Sequence, residues 1–149
     1  MTQDPVARFW QRFTASEAAT RFRNPALYGS VSIGSTAESA DEGAQMILDG
    51  RKTATSSLPD GDATRPVVGA LSVVLDGAGQ PVAVIETIEV ALRTLDELDD
   101  DFAEEYGEWD LSVEMLRAEL RLSYAPALDE DDGQTAQLLC EHFRVVYRE

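Results

Sequence analysis

The sequence predicts an α+β fold with helices outside a small, mostly antiparallel sheet. Three features carry that reading: four stretches with apolar residues at helical spacing, four with extended character, and one Gly-rich turn that joins two of the extended stretches into a hairpin. Residues 5–21 place Val6, Phe9, Trp10 and Phe13 on one helical face. A loop holding Asn24-Pro25 and Gly29 follows. Ser35 with Glu38 forms the pattern of a capping box. Behind it, Ala37, Ala40, Ala44, Ile47 and Leu48 make a second apolar stripe, which Gly50 stops.

The period then becomes extended. Thr53–Leu58 is a short polar strand, Leu71–Asp76 an apolar one, and Asp76-Gly-Ala-Gly-Gln-Pro81 a turn into a partner strand, Val82–Val90. Thr94 and Glu97 give another capping box, opening a helix with Leu95, Leu98 and Phe102 inward. Asp110 or Ser112 caps a further helix bearing Val113, Leu116 and Leu120, and the acidic loop Asp129–Gly133 leads to a last strand, Gln137–Tyr147. With no repeat and no linker, the 149 residues read as one domain, 1–149.

Composition narrows the function classes. One cysteine, Cys140, excludes an internal disulfide framework. There is neither an apolar run long enough to span a bilayer nor a basic-apolar leader at the N-terminus, so the expected location is cytoplasmic, away from membranes. The net charge is −16, and residues 94–132 alone hold 15 acids against 2 arginines. That field repels phosphate backbones and argues against general nucleic-acid binding, though a local basic groove stays open. His142 is the only histidine, so no zinc set is available, and Asp99–Asp101 lacks the alternating ligands of a calcium loop. No metal and no cofactor are expected. Composition leaves the oligomeric state open, a homodimer included.

Gly50-Arg-Lys-Thr-Ala-Thr-Ser-Ser57 is the densest polar cluster. It is no phosphate loop, because its glycine follows a helix instead of opening one. Lys52 is the only lysine beside eleven arginines, and of the two residue types only lysine can serve as a base. A helix C-terminus raises a lysine pKa, so burial must outweigh that effect if Lys52 is to act as one; a solvated lysine capping the carbonyls is the alternative. Thr55 is the nearest hydroxyl, yet in a regular strand it has opposite parity to Lys52. Glu86 and Glu141 sit among apolar neighbours of their strands, where a carboxylate requires a partner or a raised pKa.

These residues resemble the ASCH domain family, in its longer bacterial subgroup within the PUA-like superfamily. The resemblance rests on the Gly-x-Lys-x-x-Thr motif at Gly50, Lys52 and Thr55, supported by Val74–Val82, Ile85-Glu-Thr87 and Cys140-Glu-His-Phe-Arg-Val-Val-Tyr147. It implies a small PUA-like β-barrel with flanking α-helices and a cleft for a nucleoside or modified base. It also implies one of several activities: an amidohydrolase that deacylates the exocyclic amine of cytidine, an RNA-binding module or ribonuclease, or an inactive interaction domain. The amidohydrolase pattern puts a lysine on Lys52, a threonine on Thr55 and a glutamate in the segment Phe102–Asp110. There Tyr106 stands in the glutamate's place, so Glu108 takes the carboxylate role, with Glu105 as its alternative. Arg51, Glu86, Ser112 and Arg117 are the expected binding residues, and Leu116 and Leu120 replace the family's tryptophan and histidine. For a lysine base, arginine at position 52 is expected to end hydrolysis and spare the fold.

Overall fold

The computed structural model describes residues 4–59, 65–108, 112–124 and 137–149. Helix α1 (Pro5–Thr14) is capped by Asp4 and starts on proline, whose missing N–H is no loss at that position. It stops short of the expected 21. The hydroxyls of Thr14 and Ser16 donate to the carbonyls of Gln11 and Phe13, drawing the backbone out of the helix, and a separate 3-10 turn follows over Glu17–Arg21. Helix α2 (Ala37–Leu48) has its capping box one residue later than expected: Thr36 and Ser39 exchange the two bonds, Ser39 filling the place usually held by glutamate.

Five strands form one sheet: β1 (Leu27–Val31), β2 (Ala54–Ser57), β3 (Leu71–Leu75), β4 (Pro81–Thr94) and β5 (Gln137–Arg148). Their order is β1-β3-β4-β5-β2. Three of the four pairings are antiparallel, and β1 lies parallel to β3. Strand β1 occupies the expected loop. It is a short edge strand with little burial and an irregular register around Tyr28, which is why no apolar alternation marks it. Among the described residues no pairing joins β1 to β2, so the sheet is open and "barrel" describes it only loosely.

Each face of the sheet is covered. Phe9 and Phe13 of α1 pack on Leu71, Val73 and Val84. Ala44 and Ile47 of α2 pack on Val74, Ala83, Ile85 and Phe143 from the other side. Burying an aromatic ring of this kind is worth roughly 3 kcal/mol, so α1 is held by its two phenylalanines more than by helix propensity. Helices α3 (Asp100–Tyr106) and α4 (Val113–Ser123) close the β2 end of the sheet with Phe102, Tyr106, Leu116 and Leu120. The Thr94–Glu97 box forms but opens only a 3-10 turn, because Leu98 is extended and Asp99 caps α3 anew. Ser112 caps α4; Asp110 and the acidic loop 129–133 lie outside the described residues.

Strand β4 carries register shifts at Val84/Ile85 and Thr87/Glu89. They break the alternation read from the sequence. Ile88 is half exposed, and Glu86 leaves the apolar face to pair with Arg144 of β5 (2.6 Å). No helix among the described residues is long and apolar enough to cross a membrane.

Candidate functional site

Two helix ends meet at Lys52. Helix α2 ends at Leu48, and Gly50 takes the left-handed conformation (φ +80°) that turns the chain back. The amides of Arg51 and Lys52 then both donate to the Met46 carbonyl. Helix α3 ends at Gly107, also left-handed (φ +67°), and the Cα of Gly107 lies directly against the backbone of Arg51. A β-carbon there would sit 2.3 Å from the Arg51 carbonyl oxygen and 3.2 Å from Lys52 Cα. Gly107→Ala is therefore expected to lower the unfolding midpoint strongly, by ~3 kcal/mol or more from left-handed strain plus the clash, with the loss read by thermal or urea unfolding.

Strand β2 begins only at Ala54, so Lys52 lies in the turn before it and the parity objection to its meeting Thr55 falls away. The Lys52 side chain is wholly buried. Its Nζ donates to the carbonyls of Ala54 (2.8 Å) and Tyr106 (3.1 Å) and to Glu108 Oε2 (2.5 Å), and it lies 3.7 Å from the centre of the Tyr106 ring. Three acceptors fill the three directions of an ammonium. Burial nevertheless lowers the Lys52 pKa to about 8, outweighing the upward pull of Glu108. The solvated capping lysine is thus excluded.

Above Lys52 opens a cleft of about 930 Å³, at the upper end of the usual range for small-ligand sites. Thr55, Ser56, Thr87, Tyr106, Glu108 and Glu141 form the wall nearest the lysine. Thr55 faces Glu141 in the β2–β5 ladder. The side chains of Thr55 and Ser56 hydrogen-bond the Tyr106 hydroxyl, whose pKa burial pushes above its ordinary value. Tyr124 donates its proton to the Ser56 carbonyl (2.8 Å), closing a hydroxyl network on this wall. Thr87 donates to Glu141 Oε2 (2.6 Å), and burial raises the Glu141 pKa. No lysine or arginine lines the cleft among the described residues.

Of the residues expected to act, Lys52 and Glu108 are in direct contact, and Thr55 shares the cleft wall with Glu108. The four expected binding residues lie off that wall. Arg51 is exposed in the turn, Glu86 is held by Arg144, and Ser112 caps α4. Arg117 donates to the carbonyls of Leu95 and Leu98, clamping the 3-10 turn to α4. Cys140 is buried, its thiol pushed up to about 11 by burial, so it behaves as a core residue. His142 Nε2 contacts Glu105 (2.8 Å) and so ties β5 to α3. That contact turns Glu105 away from the role held in reserve for it.

Sequence reasoning assigned no site role to Glu141, Thr87, Ser56 or Tyr124. Only Glu141 carried a signal, as a carboxylate between Leu139 and Phe143.

Comparison with known proteins gives a consistent picture. A family model described as the ASCH domain matches residues 29–147. No curated protein matches the chain. Among solved structures, an ASCH domain from Lactobacillus crispatus JV V101 is similar at 24% identity and a TM-score of 0.81, covering 99% of this chain and 97% of that one. A protein from Enterococcus faecalis V583 is similar at 25% identity and a TM-score of 0.76, covering 95% and 87%.

Proposed function

The chain belongs to the ASCH domain family, and from that premise we propose that its cleft binds a nucleoside or modified base and hydrolyses an acyl group from the base's exocyclic amine. One observation carries this reading: a buried lysine with its pKa lowered to about 8 is bonded to Glu108, which shares the wall of a ligand-sized cleft with Thr55. The absence of basic lining residues among the described residues, two lining carboxylates and a net charge of −16 favour a neutral ligand over a polyanion. RNA, as a runner-up ligand, finds no lysine or arginine lining the cleft among the described residues.

The chemistry follows from the residues. At pH 7 roughly a tenth of a lysine with that pKa is neutral, enough to work as a base. The neutral amine takes the Thr55 proton while Thr55 Oγ1 bonds to the acyl carbon. The C–N bond then breaks, and the ammonium returns the proton to the leaving nitrogen. Water attacks the acyl-threonine, its proton passing to Lys52 and then back to Thr55 Oγ1 as the carboxylic acid leaves. Glu108 holds the ammonium in place through both steps. A neutral amine has only two N–H bonds, so deprotonation releases one of the three acceptors and frees a lone pair.

The test is incubation with N-acylated cytidine and, separately, with a mixed RNA pool. Deacylation is expected to rise as pH passes through about 8, as Lys52 loses its proton. Tyr106, also against the amine, has its pKa raised and stays protonated there. Glu108 and Glu141 are the carboxylates on the same wall. Added salt is expected to change the rate little. Loss of RNA without deacylation, with binding that weakens steeply in salt, overturns the reading.

A further inference from the structure

Two carboxylates line the cleft, and their circumstances differ. Glu108 Oε2 is engaged by the Lys52 ammonium. Glu141 makes no ion pair with Lys52; its Oε2 is held by the Thr87 hydroxyl, and its Oε1 has no partner among the described residues. Thr87 is buried on β4 and Glu141 sits on β5, adjacent interior strands with the longest mutual ladder, so the carboxylate is fixed in direction by a rigid frame. Glu141 lines the open cleft, so its Oε1 is free to take a donor from a ligand in place of water.

The ladder says which part of the ligand supplies it. Thr55 and Glu141 are opposite residues of an antiparallel pair, and both line the cleft. Side chains so placed have β-carbons ~5 Å apart. A hydroxyl that attacks an acyl group on an exocyclic nitrogen therefore brings that nitrogen beside the carboxylate. We propose that Glu141 Oε1 accepts a hydrogen bond from the exocyclic N–H of the base, making it the residue that selects a 4-amino or 4-acylamino pyrimidine over a 4-oxo pyrimidine. This rests on the nucleoside reading of the cleft. A carboxylate offers only acceptors, so a 4-oxo base sets oxygen against oxygen, and no lysine or arginine among the described residues lines the cleft to donate between them. An acylated amine keeps one N–H, so substrate and product are both held. The same bond orients the amide nitrogen for its proton.

The experiment compares binding of cytidine, N-acylcytidine and uridine to the wild type and to Glu141→Gln by calorimetry. Mildly alkaline buffer keeps the carboxyl ionised against the upward push of burial. The wild type is expected to prefer cytidine to uridine by about tenfold or more. Glutamine can donate to the 4-oxygen, so Glu141→Gln is expected to shift the ratio toward uridine by about tenfold or more, an outcome that mere loss of structure does not produce. Thr87→Val, which frees Oε2 but leaves the carboxylate, is expected to weaken the preference without inverting it. An unchanged ratio in a Glu141→Gln protein that still binds both nucleosides overturns the role of Glu141 alone. If the wild type binds none of the three ligands, the nucleoside reading fails and this proposal fails with it.

Discussion

Lys52→Met is expected to cut deacylation roughly a thousandfold while the chain stays folded. The two halves of that expectation come from opposing terms. Methionine leaves the Ala54 and Tyr106 carbonyls without their donor, at ~1–3 kcal/mol for each acceptor that no water reaches. It also removes a buried charge, and a pKa lowered from 10.5 to about 8 means that the site as a whole, burial less the pull of Glu108, disfavours the ammonium by a similar ~3 kcal/mol at neutral pH. Glu108 keeps some exposure and lines the cleft, so it regains water when its partner goes. The terms nearly cancel, leaving ~2 kcal/mol or less of net destabilisation. Rate assays and urea unfolding on the same preparations check both halves; full activity in the variant removes the lysine from the mechanism.

The same site gives a signature in stability. The unfolded lysine holds its proton up to about 10.5 and the folded one only to about 8, so between those values the unfolded chain binds more protons. Wild-type stability therefore rises across that window relative to Lys52→Met. Cys140 and Tyr106 work in the other direction, since burial raises their pKa values and their contributions are lost as pH rises. Both variants share those groups, so the difference isolates Lys52. Arginine is no gentle substitute, contrary to what charge alone suggests: a larger guanidinium with five donors meets a closed space with three acceptors.

How much of this was legible beforehand depended on what each signal required. Helix α2 and the β3–β4 hairpin were plain because apolar period and stop residue agree, at Ile47 with Gly50 and at Val74 with Gly79. Strand β1 was not, because an edge strand with half-exposed Leu27 and Tyr28 has no buried face to write a pattern. The motif residues Lys52 and Thr55 were visible, but the burial that lowers the lysine pKa comes from α3, more than fifty residues away, and no local spacing encodes it. Glu86 and Glu141 looked alike as carboxylates among valines and leucines. Only the bulge near Ile88 separates them, sending Glu86 to Arg144 and leaving Glu141 in the cleft. Arg117 looked like a ligand-binding cation and is instead spent on backbone carbonyls, a use invisible until α4 is docked.

Thr55→Val is expected to abolish deacylation while keeping ligand binding within about twofold, and Thr55→Ser to retain activity. Valine preserves the branched shape and the strand preference, so β2 keeps its ladder with β5 and Ala54 its place in the core. What is lost is one hydroxyl, and the substitution separates two mechanisms that Lys52→Met cannot. If Thr55 is the nucleophile, mass spectrometry of quenched wild-type reactions finds the acyl group on the protein, and the valine variant shows neither adduct nor product. If Lys52 instead activates water, the valine variant still turns over, at a rate reduced only by altered packing of the wall. The geometry weighs toward the first outcome. The lysine amine bonds the carbonyl of Ala54, immediately before Thr55, and is held by Glu108 as well, so the proposed base is anchored in a fixed frame next to the residue that carries the hydroxyl. A free water in the same position has first to be ordered, and among the described residues Glu108 and Glu141 are the charged groups that line the wall to hold it.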